Sequence, residues 1–192
     1  MRSSKVRRNG QSRADAESPM PPYVTLRDLL DIAAERSEPA LLILLDCIED
    51  PQNLGAIIRT AECAGAHGVV VPDHGSAPLG FGAMRASAGA AALLPVARVS
   101  SIPGALSQLR REDIWIVAAD MDGKKSYHAC DFSGPTAIVV GGEDHGLGRL
   151  TKDLCDEVAR IPMRGKTPSL NASVSAAILI YEAVRQRAAR KK

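Results

Sequence analysis

The sequence predicts an α/β domain: a mostly parallel sheet flanked by helices. Three observations carry this. The runs ALLILLD (40–46), GVVVP (68–72), IWIVAAD (114–120) and TAIVVGGE (136–143) are apolar without alternation, as strands buried on both faces read. Segments of helical character lie between them, and strands that alternate with helices pair in parallel. The length of 192 residues suits one domain, and with 45% hydrophobic but only 3% aromatic residues the core is built from Val, Ile, Leu and Ala.

Taken in order, residues 1–22 are charged, Ser-rich and end in Pro-Met-Pro-Pro, which predicts a basic disordered tail. Thr25 is placed to cap a short helix, LRDLLDIAAE, so 23–39 read as a short helix and linker before a domain over 40–192. After the first strand, CIEDPQNLG is a loop and AIIRTAECAGA a helix. GVVVP is the second strand. The Gly- and Ala-rich residues 82–92 predict a helix, Val96–Val99 a short strand and ALSQLRR a helix. IWIVAAD and TAIVVGGE follow as strands, the latter running into a Gly-rich loop. Leu147–Cys155 reads as a helix, EVARIPM (157–163) as the last strand, and the final helix starts near Leu170.

Composition excludes several classes. No apolar run approaches the roughly 18 residues that span a bilayer, and the basic N-terminus has no apolar stretch after it, so it does not read as a secretory signal. Cys47, Cys63, Cys130 and Cys155 are scattered, without a CxxC pair. They predict free thiols of a cytoplasmic protein rather than a zinc site or disulfide framework. The net charge of +2 conceals a division: residues 1–22 and 185–192 hold ten basic residues, leaving the body with 14 basic and 20 acidic side chains. Basic tails around an acidic body fit nucleic-acid contact, and they also fit solubility alone.

Parallel α/β sheets bind ligands beyond the C-terminal ends of their strands, and three polar stretches fall there. The first, Asp46 to Thr60, contains Asn53, which reads as a helix N-cap, and Arg59, a cation in an apolar helical stretch. The second is Gly141-Gly142-Glu143-Asp144-His145-Gly146-Leu147-Gly148. It is neither GxGxxG nor a P-loop, which disfavours an ordinary doubly wound nucleotide-binding domain. His145 has no nucleophile or acid marked out for it and reads as a surface residue. The third runs from Ile161 through Pro162, Met163, Gly165 and Pro168 to Ser169, Leu170 and Asn171. Its irregular backbone suits a flat heterocycle held by main-chain hydrogen bonds, with Asn171 and Ser173 lining the pocket from the helix start.

With these stretches aligned, Asn53-Leu-Gly55-Ala-Ile-Ile-Arg59, then Gly141-Gly142-Glu143 with Gly146-Leu147, then Ile161-Pro162-Met163 through Ser169-Leu170-Asn171, the sequence resembles the TrmH branch of the SPOUT superfamily of RNA methyltransferases. The match covers roughly residues 40–188, and is nearest to the large-subunit rRNA guanosine-2′-O-methyltransferases. The resemblance implies a C-terminal deep trefoil knot, a homodimer with the site completed across the interface, and an RNA substrate, rRNA in preference to tRNA. It implies S-adenosylmethionine as cofactor, contacted by Gly141, Gly142, Ile161, Met163 and Leu170. It assigns catalysis or RNA contact to Asn53, Arg59, Glu143, Ser169 and Asn171, with no metal.

An arginine is a poor literal base, since its pKa exceeds about 12. Arg59 is therefore expected to stabilise the forming 2′-alkoxide, with Asn53 orienting it and Glu143 pairing with it. Relatives often carry a folded RNA-binding domain before the knot. Here only about 40 residues precede the first strand, so the basic tails are the candidates for that role. The rival readings are a knotted RNA-binding protein without catalysis, and methylation of N1 of guanine.

Overall fold

A computed structural model describes residues 20–142 and 146–190. Seven parallel strands form one sheet in the order β3-β2-β1-β6-β4-β7-β5. They are β1 (Leu41–Asp46), β2 (Gly68–Pro72), β3 (Val96–Val99), β4 (Trp115–Ala119), β5 (Lys125–Ser126), β6 (Thr136–Gly141) and β7 (Glu157–Arg160). The helices are α1 (Leu26–Glu35), α2 (Pro51–Cys63), α3 (Phe81–Ala86), α4 (Ile102–Arg111), α5 (Arg149–Leu154) and α6 (Ala172–Arg190). The two-residue β5, paired with Ala159 and Arg160 of β7, has no signature in the sequence.

Strand β1 sits between β2 and β6 and is buried on both faces, which is why its sequence lacks alternation. Leu41, Ile43 and Leu45 point into a core shared with α2, α3 and α6. Leu42 and Leu44 point into a second core with α1 and α4. Helix α1 begins on a capping box: the Thr25 hydroxyl accepts from the Asp28 amide, and the Asp28 carboxylate accepts from the Thr25 amide. Val24 pairs with Ala97 beside β3, and the Tyr23 hydroxyl accepts from the Leu79 amide, so this segment is fastened to the body.

Two element bounds differ from expectation for identifiable reasons. The helix expected over 82–92 ends at Ala86, because Ala88 (φ 50°) and Gly89 (φ 91°) turn the chain left-handed before a short 3-10 turn at Ala90–Ala92. Helix α2 starts five residues earlier than expected. Asp50 accepts from the Gln52 amide as N-cap and Pro51 takes the first helical position. Asn53 is therefore inside the helix and is not its cap.

At the opposite end of the sheet, His67 is 1% exposed. Its Nδ1 accepts from the Leu41 amide at 3.0 Å, so Nε2 carries the proton and faces Glu38 Oε2 at 3.4 Å, too poorly aligned for a hydrogen bond. Burial, and secondarily the Arg36 cation, hold the imidazole pKa below its ordinary value. The unfolded chain then protonates first. Stability is full above about pH 6.5 and falls as pH drops through the folded-state value. The urea midpoint should fall between about pH 7 and pH 5, and less steeply in His67→Asn; equal slopes would overturn this role for His67.

Candidate active site

The C-terminal ends of β4, β6 and β7 surround a cavity of about 490 Å³, closed by residues 161–170 and the first turn of α6. Val140, Ala159, Ile161 and Leu170 supply apolar walls, while Gly141, Gly142 and Gly146 present bare backbone. The glycines are required by close approach: a Cβ on Gly141 would lie 2.5 Å from the carbonyl carbon of Gly146, and one on Gly142 would overlap the Cys47 carbonyl oxygen. The Gly142 amide donates to the Asp46 carbonyl at 2.8 Å, which ties this loop to the end of β1.

Helix α5 fastens the same region through three carboxylates. Thr151 Oγ1 donates to Asp46 Oδ2 at 2.8 Å. Lys152 Nζ, in the cavity wall, lies 2.8 Å from Asp120 Oδ2 and 3.3 Å from Asp122 Oδ2. Hydrogen bonding to Asp120 raises the ammonium pKa, so Lys152 stays charged. Asp120 Oδ1 accepts from the Asp122 amide in a tight turn whose Gly123 lies against β7: a Cβ there would sit 2.6 Å from the Arg160 nitrogen. Asp120 and Lys152 were not anticipated as site residues. The available signal was an acid closing an otherwise apolar strand, a feature shared by Asp46 and Asp120.

Gly141, Gly142, Ile161, Met163 and Leu170 all line the cavity, as does Ser169. Asn53 and Asn171 meet beside it: Asn171 Nδ2 donates to Asn53 Oδ1 at 2.9 Å. Asn171 Oδ1 accepts from the Ser173 amide and hydroxyl, at 2.9 and 2.6 Å, and so caps α6. Contrary to expectation, Asn171 and Ser173 do not line the cavity; Ala172 and Ser175, one helical turn apart, do. Arg59 does not line it either. It lies six residues beyond Asn53, about 9 Å along the axis, exposed, its guanidinium making no hydrogen bond or ion pair to any described residue. Glu143 and His145 lie outside the described residues.

Residues 40–181 match the SpoU rRNA Methylase family. The chain belongs to that family. Among SpoU relatives, a 23S rRNA (guanosine-2′-O-)-methyltransferase, RlmB, from Xylella fastidiosa is 43% identical over 162 residues, covering 84% of this chain and 64% of the relative. Two solved SpoU-like structures are similar in fold. AviRb from Streptomyces viridochromogenes, crystallised with AdoMet, shows a TM-score of 0.73 at 38% identity, over 78% of this chain and 58% of its own. An AdoMet-bound rRNA methyltransferase from Sinorhizobium meliloti shows 0.75 at 30%, over 85% and 61%. The chain therefore spans about 60% of the length of these SpoU relatives.

No helix among the described residues is long and apolar enough to cross a membrane. No group of three or more His, Cys, Asp or Glu residues among them could hold a metal ion.

Proposed function

We propose that this chain transfers a methyl group from S-adenosylmethionine to a ribose 2′-hydroxyl of RNA, a guanosine of large-subunit rRNA being the favoured target, in the cytoplasm. The observation that carries the reading is the cavity. Its volume and its mixture of apolar walls, bare glycine backbone and two carboxylates, Asp120 and Asp122, suit a nucleoside with an attached amino acid. The AdoMet-bound relatives share this fold. Gly141, Gly142, Ile161, Met163 and Leu170 hold the cofactor, largely through backbone groups. When bound, it supplies a methyl group on a sulfonium, already a good electrophile.

The protein's task is then to position and activate a poor nucleophile, the 2′-hydroxyl. Asn53, steadied by Asn171, orients the ribose, with Ser169 at the cavity edge. Arg59 stabilises the oxyanion as the proton leaves, and Glu143 pairs with its guanidinium. Because Arg59 is exposed and outside its own cavity, the reading requires a second copy. In a homodimer, Arg59 of one subunit serves the cavity of the other. Helix α6, which packs on α2, supports this: it exposes the apolar side chains of Val174 (46% exposed) and Tyr181 (50% exposed). The path from β6 through β7 to α6 forms the trefoil knot of the family, in keeping with the backbone contact of Gly123 on β7 and with α6 held under residues 130–134 by Gln186 and Arg187.

The test is label transfer from radioactive S-adenosylmethionine to purified rRNA and, separately, tRNA, with digestion to nucleosides. A 2′-O-methylnucleoside from one class is the expected result. Label in a methylated base would move the reaction to the heterocycle. No label, with cofactor binding retained by calorimetry, would reduce the chain to a binding protein.

A further inference from the structure

Phe81 stands apart from the other phenylalanine of the chain. Phe132 is fully buried, whereas Phe81, the first residue of α3, is 64% exposed. A single exposed apolar side chain is ordinary. Three features make this one different.

The first is position. Helix α3 follows β2, so Phe81 lies on the side of the strand C-termini, where the site residues gather. Trp115, also exposed, begins β4 at the opposite end of the sheet. The loop leading to Phe81 is pinned to the loop after β1, with the Ala77 amide donating to the Ile48 carbonyl at 2.8 Å. The second is rigidity. A Cβ on Gly82 would lie 3.0 Å from Pro51 Cβ, two residues before Asn53. Four residues along α3, Ala86 Cβ would lie 2.5 Å from a Cβ on Gly55. Helix α3 thus presses backbone to backbone against the start of α2, and Phe81 is carried on a fixed support beside the Asn53–Asn171 pair.

The third is charge. The guanidinium of Arg85, one turn beyond Phe81 on the exposed side of α3, makes no hydrogen bond or ion pair to any described residue. Arg59, on the helix packed against α3, is in the same condition. Arg27, Arg98, Arg110, Arg149 and Arg185 each face a carboxylate, whereas the guanidinium groups of Arg36, Arg111, Arg160 and Arg164 are also unpaired among the described residues; what sets Arg85 apart is its place one turn from an exposed ring. An open aromatic ring one helical turn from an uncommitted guanidinium has the chemistry of a single-strand nucleic-acid platform: the ring stacks a base and the cation takes the adjoining phosphate.

We infer that Phe81 is a stacking platform for an unpaired base of the RNA substrate, and that Arg85 neutralises the neighbouring phosphate. This rests on the RNA reading above. Large-subunit rRNA is recognised at a loop or bulge, where bases can be splayed from their stack, and the platform holds one base near the target ribose.

The experiment is filter binding of an in vitro transcript of large-subunit rRNA to the full chain across a salt series, with S-adenosylhomocysteine present. Phe81→Leu should weaken binding roughly tenfold, and Phe81→Trp should restore it, because stacking needs a π-face and not merely an apolar one. Phe81→Leu should leave the salt dependence unchanged, whereas Arg85→Ala should reduce its slope by about 0.7, one phosphate contact on a single strand. S-adenosylhomocysteine affinity, by calorimetry, should be the same in all variants. Wild-type methyl transfer with undiminished RNA binding by Phe81→Leu would remove the platform and leave the proposed reaction standing. Failure of the wild type both to bind the transcript and to methylate RNA would remove both. A shift of Phe81→Leu to a smaller species in sedimentation would show that a second copy covers this face, which also overturns the proposal.

Discussion

Arg59→Ala is expected to lower methyl transfer by roughly two to three orders of magnitude, the scale on which loss of one group that stabilises a developing oxyanion acts. Cofactor affinity should not change, because Arg59 is outside the cavity wall. Single-turnover transfer from labelled S-adenosylmethionine, with calorimetry on S-adenosylhomocysteine alongside, reads both quantities. A parallel collapse of cofactor binding would assign Arg59 a structural role instead. Lysine should rescue only partly, since it keeps the charge but lacks the planar fork of donors. The cross-subunit arrangement has a sharper test. Co-refolding Arg59→Ala with a variant defective in the cavity should restore transfer in the mixed dimer, where one cavity has an intact wall and receives an intact Arg59. Two inactive variants that stay inactive together would place both parts of the site in one subunit.

The second large effect is expected for Gly142→Ala, the natural cavity-defective partner. The added methyl overlaps the carbonyl of Cys47, a residue that already sits at a left-handed φ of 60°. Neither strand end can yield easily, since Gly142 is bonded to Asp46 and Asp46 is held by Thr151. The strain should cost about 1–3 kcal/mol of stability, the usual scale of overpacking. It should also displace the backbone that the cofactor needs, so S-adenosylhomocysteine binding should weaken by more than tenfold, about 1.4 kcal/mol. Gly134→Ala, where a Cβ meets nothing within 4 Å, is the control and should be silent in both measurements. Unaltered cofactor affinity in Gly142→Ala would separate this glycine from the binding site.

Much of this was legible in the chain itself. Strands β1, β2, β4 and β6 fall within two residues of their apolar runs, because a strand buried on both faces needs uninterrupted apolar residues. The three polar stretches converge because parallel topology places all their loops at one end. Less legible was anything that depends on the direction a side chain takes from its helix. Asn53 reads as a cap until Asp50 and Pro51 take the helix start. Asn171 and Ser173 read as pocket residues until the phase of α6 turns Ala172 and Ser175 inward. Asp120 and Lys152, thirty-two residues apart in the chain, form an ion pair that local pattern could not reveal.

By itself, the sequence determined the α/β class, the positions of the buried strands and the glycine-rich loops. These follow from hydrophobic runs and backbone permissiveness, which are properties of short segments. Only the tertiary structure decided which loops share a cavity, that Asn53 meets Asn171, and that Arg59 stands outside the cavity on an open face. Those outcomes depend on strand order and helix phase, which arise when distant segments pack together, since a residue's neighbours across a sheet are fixed by the whole arrangement of the chain.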